Sequence, residues 1–158
     1  MPVHSLHVFD RKGKTLFTKT YAKTTSNNTS DEEQQQHQRQ LLFGMLYSLR
    51  DVTATLSGNN GGGLHSIQTG AATLYHYETN SGLKFALYLT DPPTDLVLAN
   101  TSAKTNEILR SSLQHIYHEL WIPQVTQSPL YRPDVRNVYV TNFEPKLDAY
   151  LKSQSWFK

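Results

Sequence analysis

Histidine is the residue type in this sequence best suited to bind metal or move protons, and it occurs in two closely spaced pairs. His4 and His7 lie three residues apart in a β-forming segment, where this spacing places side chains on opposite faces of a strand. His115 and His118 have the same spacing in a helical segment, where it places them on one face. No second cluster supplies the remaining ligands of a zinc site. The sequence therefore predicts no metal site.

Other catalytic patterns are also missing from the sequence. The Gly-rich stretch at 58–63 lacks the Gly-Lys-Ser/Thr ending of a phosphate-binding loop and leads into a strand, so it is interpreted as a loop. There is no Gly-x-Ser-x-Gly motif and no cysteine. Asp10 follows the first strand, where a hairpin-turn role explains it better than catalysis. We predict no catalytic residue and no cofactor, and a protein that works by binding other proteins.

Length and charge narrow the class of protein. The chain has 158 residues, the size of one domain, so we predict a single domain over 1–158. Its net charge of +2 and scattered basic residues predict no nucleic-acid partner. Neither a signal peptide nor an apolar run of about 18 residues is found, which predicts a cytoplasmic protein without a membrane-spanning helix.

Hydrophobic periodicity predicts the elements of an α+β domain. Strands are expected at 3–9, 14–21, 64–68, 73–79 and 83–90, and helices at 31–56, 106–121 and 143–152. Pro123 should end or kink the second helix. Flexible loops are expected at about 22–30, 57–63, 91–105 and 124–141. The hairpin-like spacing predicts a five-stranded antiparallel sheet, with the long first helix on one face and the two C-terminal helices on the other.

The long helix carries more apolar surface than one sheet contact needs. Its predicted core stripe consists of Leu42, Met45, Leu46, Leu49, Thr53 and Leu56. Phe43, Tyr47 and Arg50 form a second row, and Gly44 leaves a flat spot beside it. Aromatic residues with arginine are typical of protein–protein hot spots. The alternative interpretation is a helix sunk more deeply into the core, and the sequence leaves both open.

Several short segments, in order along nearly the whole chain, carry a family pattern. They are Leu-His-Val-Phe-Asp-Arg at 6–11, Leu-Leu-Phe-Gly-Met-Leu-Tyr-Ser-Leu-Arg at 41–50, Gln-Thr-Gly at 68–70, Tyr-His-Tyr-Glu-Thr at 75–79, Ser-Gly-Leu-Lys at 81–84 and His-Ile-Tyr at 115–117. Together they resemble the small longin-type core subunits, of the Bet-five type, of the TRAPP (transport protein particle) complex. The departures are mostly longer loops.

The resemblance implies a longin-like (profilin-like) fold and a non-catalytic role. It implies vesicle tethering and guanine-nucleotide exchange on a Rab-type GTPase in ER-to-Golgi transport. The partners would be a second longin-type subunit, a palmitoyl-binding core subunit and, through the assembled complex, the GTPase. Contact with Golgi and endoplasmic reticulum membranes would be peripheral. Nucleotide exchange by stabilising one GTPase conformation needs complementary surfaces more than an acid or a base.

The family match covers the second row of the long helix and the first hairpin. We therefore expect the partner or GTPase surface to include Asp10, Arg11, Phe43, Gly44, Tyr47 and Arg50. Two alternatives remain at this point. One is a small longin-type subunit of another trafficking complex, such as a clathrin or coatomer adaptor, which the 41–50 segment argues against. The other is a small enzyme on the same fold, which predicts a concave site with convergent polar groups.

Overall fold

The structure is a computed structural model that describes residues 3–21, 30–58, 63–69, 72–90, 99–132 and 138–157. Its first half contains strands β1 (Val3–Phe9) and β2 (Thr15–Thr20), helix α1 (Ser30–Ser57), and strands β3 (Ser66–Thr69), β4 (Ala72–Glu78) and β5 (Lys84–Thr90). In its second half, helix α2 (Ala99–His115) continues directly into π-helical turns over Ile116–Thr126, and a 3-10 turn (Val138–Val140) precedes α3 (Phe143–Ser153).

The five strands form one antiparallel sheet in the order β2-β1-β5-β4-β3. Two short hairpins connect β1 to β2 and β4 to β5, and they reach the same end of the sheet. β1 lies between β2 and β5, which is the central position that its apolar residues on both faces predict. The predicted five-stranded antiparallel sheet is confirmed.

Alternating residues of the central strands give the sheet two buried faces. Leu6, Phe85 and Leu87 belong to a large cluster that α2, the π-helical turns and α3 cover. On the opposite face, a smaller cluster lies beneath α1 and comprises Phe9, Leu46, Leu74 and Ala86. The predicted α+β, longin-like arrangement, with the long helix on one face and the C-terminal helices on the other, is confirmed.

Two predicted boundaries in the second half are wrong. α2 begins at Ala99, so residues 99–105, which were expected in a loop, are helical. Polar residues dominate these first turns and gave no apolar stripe to detect. The helix also runs through Pro123 to Thr126, into the predicted 124–141 loop. Proline lacks an N–H, but the wider π-helical turns accommodate it while Trp121 and Val125 on either side stay buried.

The predicted core stripe of α1 is partly wrong. Leu46 is fully buried, but Met45 and Leu56 are exposed. At about 100° per residue, both lie roughly 80–100° from Leu46 on the same side of the helix, outside the sheet contact. The predicted loop residues 22–29, 59–62, 91–98 and 133–137 lie outside the described residues.

Candidate functional site

Three of the predicted interface residues line one cleft between α1 and the two hairpins. Arg11, Tyr47 and Arg50 border a space of about 660 Å³, together with Glu78 and Lys84. We call it the α1–hairpin cleft. Tyr47 is 51% exposed, and Arg11 is exposed at the tip of the first hairpin. These side chains are therefore available to a partner.

Asp10 has a different position from the other predicted residues. Its carboxylate is buried, and its Oδ1 accepts hydrogen bonds from the backbone N–H groups of Lys12 (2.8 Å) and Lys14 (2.9 Å). The aspartate therefore holds the β1–β2 turn in shape, as a turn residue does. The backbone of Arg11 follows directly from this turn. Asp10 consequently positions the cleft residue rather than facing the cleft itself.

Phe43 points toward the sheet and supports the cleft from below. Its ring lies 5.8 Å from the ring of Phe9 and covers Gly13, where a Cβ atom would lie 2.8 Å from Phe43 Cε1. Tyr47 stacks on Phe43 with 6.2 Å between ring centroids. Gly44 is exposed, and a Cβ there would meet no atom within 4 Å. The predicted second row is thus split between a packing residue and exposed ones.

Sequence reasoning missed the charged pair at the base of this cleft. Glu78 and Lys84 are cross-strand partners in the β4–β5 hairpin. The Lys84 side chain is only 2% exposed, and its Nζ lies 3.5 Å from Glu78 Oε1 and 5.4 Å from the centroid of the Phe43 ring. Arg50 Nη1 lies 3.2 Å from the same carboxylate oxygen. One carboxylate thus pairs with two cations and neutralises the charge of one. The Asn-Ser-Gly turn at 80–82 sets the register and could have revealed the pair.

A second cleft lies between α1 and the β1–β2 hairpin, and we call it the α1–β1 cleft. It has a volume of about 480 Å³. His4 and His7 both line it, so the expectation that they face opposite sides is wrong. A β-bulge between Val3 and Ser5 inserts an extra residue opposite β5 and reverses the alternation there. Both imidazoles lie near Ser5 Oγ, with distances of 3.2 Å to His4 Nδ1 and 3.0 Å to His7 Nε2.

His7 is held as a neutral imidazole in this cleft. Its Nδ1 lies 2.5 Å from Thr18 Oγ1, so both ring nitrogens have hydroxyl partners. Burial, followed by the positive charges of Arg39 and His4, lowers the pKa of His7 to about 4. Across the described part of the chain, no group of three or more His, Cys, Asp or Glu side chains could hold a metal ion.

His76 is a further buried histidine, on the α1 side of β4. Its Nδ1 donates a hydrogen bond to the backbone oxygen of Leu64 (3.0 Å), which anchors the chain that follows α1. Burial lowers the pKa of His76. The neutral ring is therefore the form that fits this position.

One flank of α1, turned roughly 110° from the sheet-facing Leu46, is apolar and exposed. Its large side chains have exposures from 38% to 81% and are Leu41, Met45, Val52 and Leu56. They fall within a sector of about 60° and extend over roughly 22 Å of the helix. We call them the outer face of α1. No helix among the described residues is both long and apolar enough to cross a membrane.

Comparison with known proteins identifies the family of this chain. The model of the Sybindin-like family matches residues 3–154, from β1 through α3. The chain belongs to the Sybindin-like family. The matched region of this Sybindin-like protein includes both clefts and the outer face of α1.

Two relatives known by sequence agree with this assignment over most of their length. The rat protein named trafficking protein particle complex subunit 1 is 31% identical over 158 residues, which cover 99% of this chain and 97% of that protein. The Saccharomyces cerevisiae protein named trafficking protein particle complex subunit BET5 is 29% identical over 133 residues, covering 82% and 76%. Among solved structures, Myxococcus xanthus MglB aligns with a TM-score of 0.40 and 13% identity, covering 71% of this chain and 77% of that one.

Proposed function

We propose that this Sybindin-like protein is a non-catalytic core subunit of a TRAPP-type vesicle-tethering complex. In that complex it contributes to a composite surface for guanine-nucleotide exchange on a Rab-type GTPase in ER-to-Golgi transport. It would act in the cytoplasm, peripherally at Golgi and endoplasmic reticulum membranes. The family and the two relatives named as complex subunits support this assignment.

The outer face of α1 is the observation that carries the proposal. A solvated helix face is normally polar, whereas this one presents Leu41, Met45, Val52 and Leu56 in one row. Fully burying such a side chain contributes about 1.5–3 kcal/mol relative to exposure. A second subunit covering this row would bind largely through hydrophobic burial. We assign the row to the second longin-type subunit of the complex.

The α1–hairpin cleft suits the GTPase side of the composite surface. Tyr47 and Arg50 belong to the residue types that dominate binding energy at protein interfaces. Glu78 neutralises only one of its two neighbouring cations, so the cleft keeps positive charge from Arg50 and Arg11. Such charge favours an acidic partner surface and speeds its association. Phe43 supports the cleft from below and Asp10 fixes its hairpin, while Gly44 leaves the adjoining surface of α1 flat for the partner.

Two double variants in a reconstituted complex test the two surfaces separately. Met45→Lys with Val52→Lys should abolish co-purification with the other subunits, because it places charges in a buried contact. Tyr47→Ala with Arg50→Glu should leave assembly intact and slow release of a fluorescent guanine nucleotide from the GTPase by about tenfold or more.

The matched control is Gln36→Lys with Gln40→Lys, which adds the same charge to exposed positions of α1 outside both surfaces. It should assemble and exchange like the wild type. Wild-type assembly and exchange in both test variants would refute the proposal. Circular dichroism on each isolated variant separates loss of binding from loss of folding.

A further inference from the structure

The α1–β1 cleft has the polar lining of an anion site. It brings together hydroxyl groups of Ser5 and Thr18, the imidazoles of His4 and His7, and the guanidinium of Arg39. These groups come from β1, β2 and α1. Among the described residues, neither aspartate nor glutamate lines the cleft. A volume of about 480 Å³ is in the range of small-molecule sites.

Arg39 supplies the formal positive charge of the cleft. Its Nε is buried and has no hydrogen-bond partner among the described residues. A buried guanidinium N–H without an acceptor is costly, and such a group calls for a specific explanation. An anionic oxygen in the cleft would provide the acceptor.

One of the two hydroxyl groups keeps a proton for a ligand when His7 is neutral. A neutral imidazole carries a proton on one ring nitrogen and accepts on the other. One of its two hydroxyl partners, Ser5 or Thr18, must therefore accept from the ring, and that hydroxyl retains its own O–H for another acceptor. The cleft thus presents the Arg39 guanidinium from α1 and one free hydroxyl, from β1 or β2, around one space.

We propose that the α1–β1 cleft binds a phosphate monoester, with Arg39 pairing with the phosphoryl oxygens and whichever hydroxyl of Ser5 and Thr18 accepts from His7 donating its own proton to them. A phosphoryl group offers three oxygens in a tetrahedral arrangement, so it can accept from Arg39 and from a hydroxyl on a different element at once, whereas a carboxylate offers two in a plane. Arginine pairs with phosphate through a planar fork of N–H groups. The monoester could belong to a soluble metabolite or to a lipid headgroup. The site is separate from the outer face of α1 and does not depend on the proposed function.

Titration of the full chain with glycerol phosphate at constant ionic strength tests the site, with the ring resonances of His7 as the probe. We expect saturable shifts of these resonances. Arg39→Gln should weaken binding by at least about tenfold, as expected for loss of a charge-assisted hydrogen bond. Thr18→Val, which keeps a β-branched side chain but removes the hydroxyl, should weaken it by a few fold.

Arg50→Gln is the matched control, because it removes the same charge from the same helix but from the other cleft. It should bind like the wild type. Equal weakening in Arg50→Gln, equally tight binding of acetate, or wild-type affinity in a folded Arg39→Gln variant would overturn the proposal.

Sedimentation with phosphatidylcholine vesicles containing phosphatidylinositol 4-phosphate distinguishes the two sources of the ligand. Cosedimentation that requires Arg39 supports a lipid headgroup, and saturable binding of glycerol phosphate without cosedimentation supports a soluble ester. Failure of both the titration and the sedimentation refutes the site.

Discussion

Lys84 is a buried ammonium group whose only ion-pair partner in the described residues is Glu78. Glu78 also pairs with Arg50, which is half exposed and reaches the carboxylate from α1. The two cations therefore depend on the carboxylate to different degrees. Arg50 can turn to water when Glu78 is removed, whereas Lys84 stays between β5 and the Phe43 ring.

This asymmetry predicts unequal effects at the two ends of the Glu78–Lys84 pair. Glu78→Gln leaves an uncompensated buried charge and should lower the free energy of unfolding by about 3 kcal/mol or more. Lys84→Met replaces the cation with a side chain of similar length and leaves Glu78 paired with Arg50, so it should cost less than about 1.5 kcal/mol. Urea denaturation of both variants measures the difference. Equal losses would contradict the buried-charge explanation.

At the scale of single residues, the sequence predicts which face of a strand a side chain occupies better than it predicts how deeply that side chain is buried. Alternation along 83–90 places Lys84 and Ala86 on the strand face opposite Phe85 and Leu87, and the structure has the same arrangement. It could not predict that Lys84 would be buried, because burial depends on where the Phe43 ring lies. The pairing of His4 and His7 in one cleft was also beyond reach, since a bulge leaves no periodic signal.

At the scale of elements, α1 packs against the first hairpin through a close contact between the Phe43 ring and Gly13. Gly13 has a φ of +88°, and the Phe43 ring occupies the space where a side chain would begin. Any Cβ at Gly13 must therefore strain the backbone and displace the ring. Gly44, one residue along the helix from Phe43, has neither constraint.

The two glycines predict opposite effects for the same substitution. Gly13→Ala should lower the free energy of unfolding by about 2 kcal/mol, because a left-handed backbone and a ring contact are both affected. Gly44→Ala should raise it by up to about 1 kcal/mol through helix propensity. Thermal and urea unfolding of the isolated chain provide the measurement. Similar losses in both variants would show that the Gly13 contact is not specific.

The orientation of α1 shows why the sequence was only partly informative at this scale. Its length and ends follow from periodicity and turn residues, and the structure confirms them to within about two residues. Its apolar residues, however, form two rows about 100° apart, one through Leu46 and one through Met45. The hydrophobic periodicity of such a helix cannot distinguish the sheet-facing row from the exposed row. Only the positions of Phe9, Leu74 and Ala86 decide between them.

At the scale of the whole molecule, stability should fall on the acid side because of the buried histidines. The pKa of His7 is about 4 in the fold against about 6.5 when unfolded, so the unfolded chain binds the proton first as pH falls. His76 has a lowered pKa and adds an effect of the same sign. Stability is therefore retained above pH 6.5 and lost progressively toward pH 4, by about 3 kcal/mol from His7.

Replacing His7 should remove its share of this pH dependence. His7→Gln should show a smaller decline in the free energy of unfolding between pH 6.5 and pH 4.5 than the wild type, measured by urea denaturation at several pH values. His37→Gln, on the exposed side of α1, is the matched control and should retain the wild-type decline. An unchanged decline in His7→Gln would be inconsistent with a neutral buried ring.

A second pH dependence should arise where β2 meets α3. Burial, with the nearby charge of Asp148, raises the pKa of Tyr21, whose hydroxyl donates to Asp148 (3.0 Å). Burial alone would lower the pKa of Lys19, but its bonds to Asp148 and Glu144 raise it overall. Both groups keep their protons longer in the fold than in the unfolded chain. Stability from them is present below about pH 10 and lost above it.

Tyr21→Phe should therefore reduce the loss of stability above pH 10. The phenylalanine ring preserves the contact with Phe157 but has no proton to lose. Unfolding by urea at pH 9 and at pH 10.5 measures the effect, and Tyr47→Phe at an exposed position provides the control. A steeper alkaline loss in Tyr21→Phe would contradict the assignment.

The two faces of the sheet bury unequal amounts of apolar surface, so the helices that cover them should detach at different free-energy costs. α2, the π-helical turns and α3 share the large cluster with the sheet, while α1 has a single fully buried side chain, Leu46, among its described residues. Local opening costs least where little apolar surface is buried. Amide hydrogens of α1 should therefore exchange with solvent by detachment of this helix alone, well before those of β1 and β5. A subunit that covers α1 would slow that exchange, and it would complete the structure of a layer that one chain builds only in part.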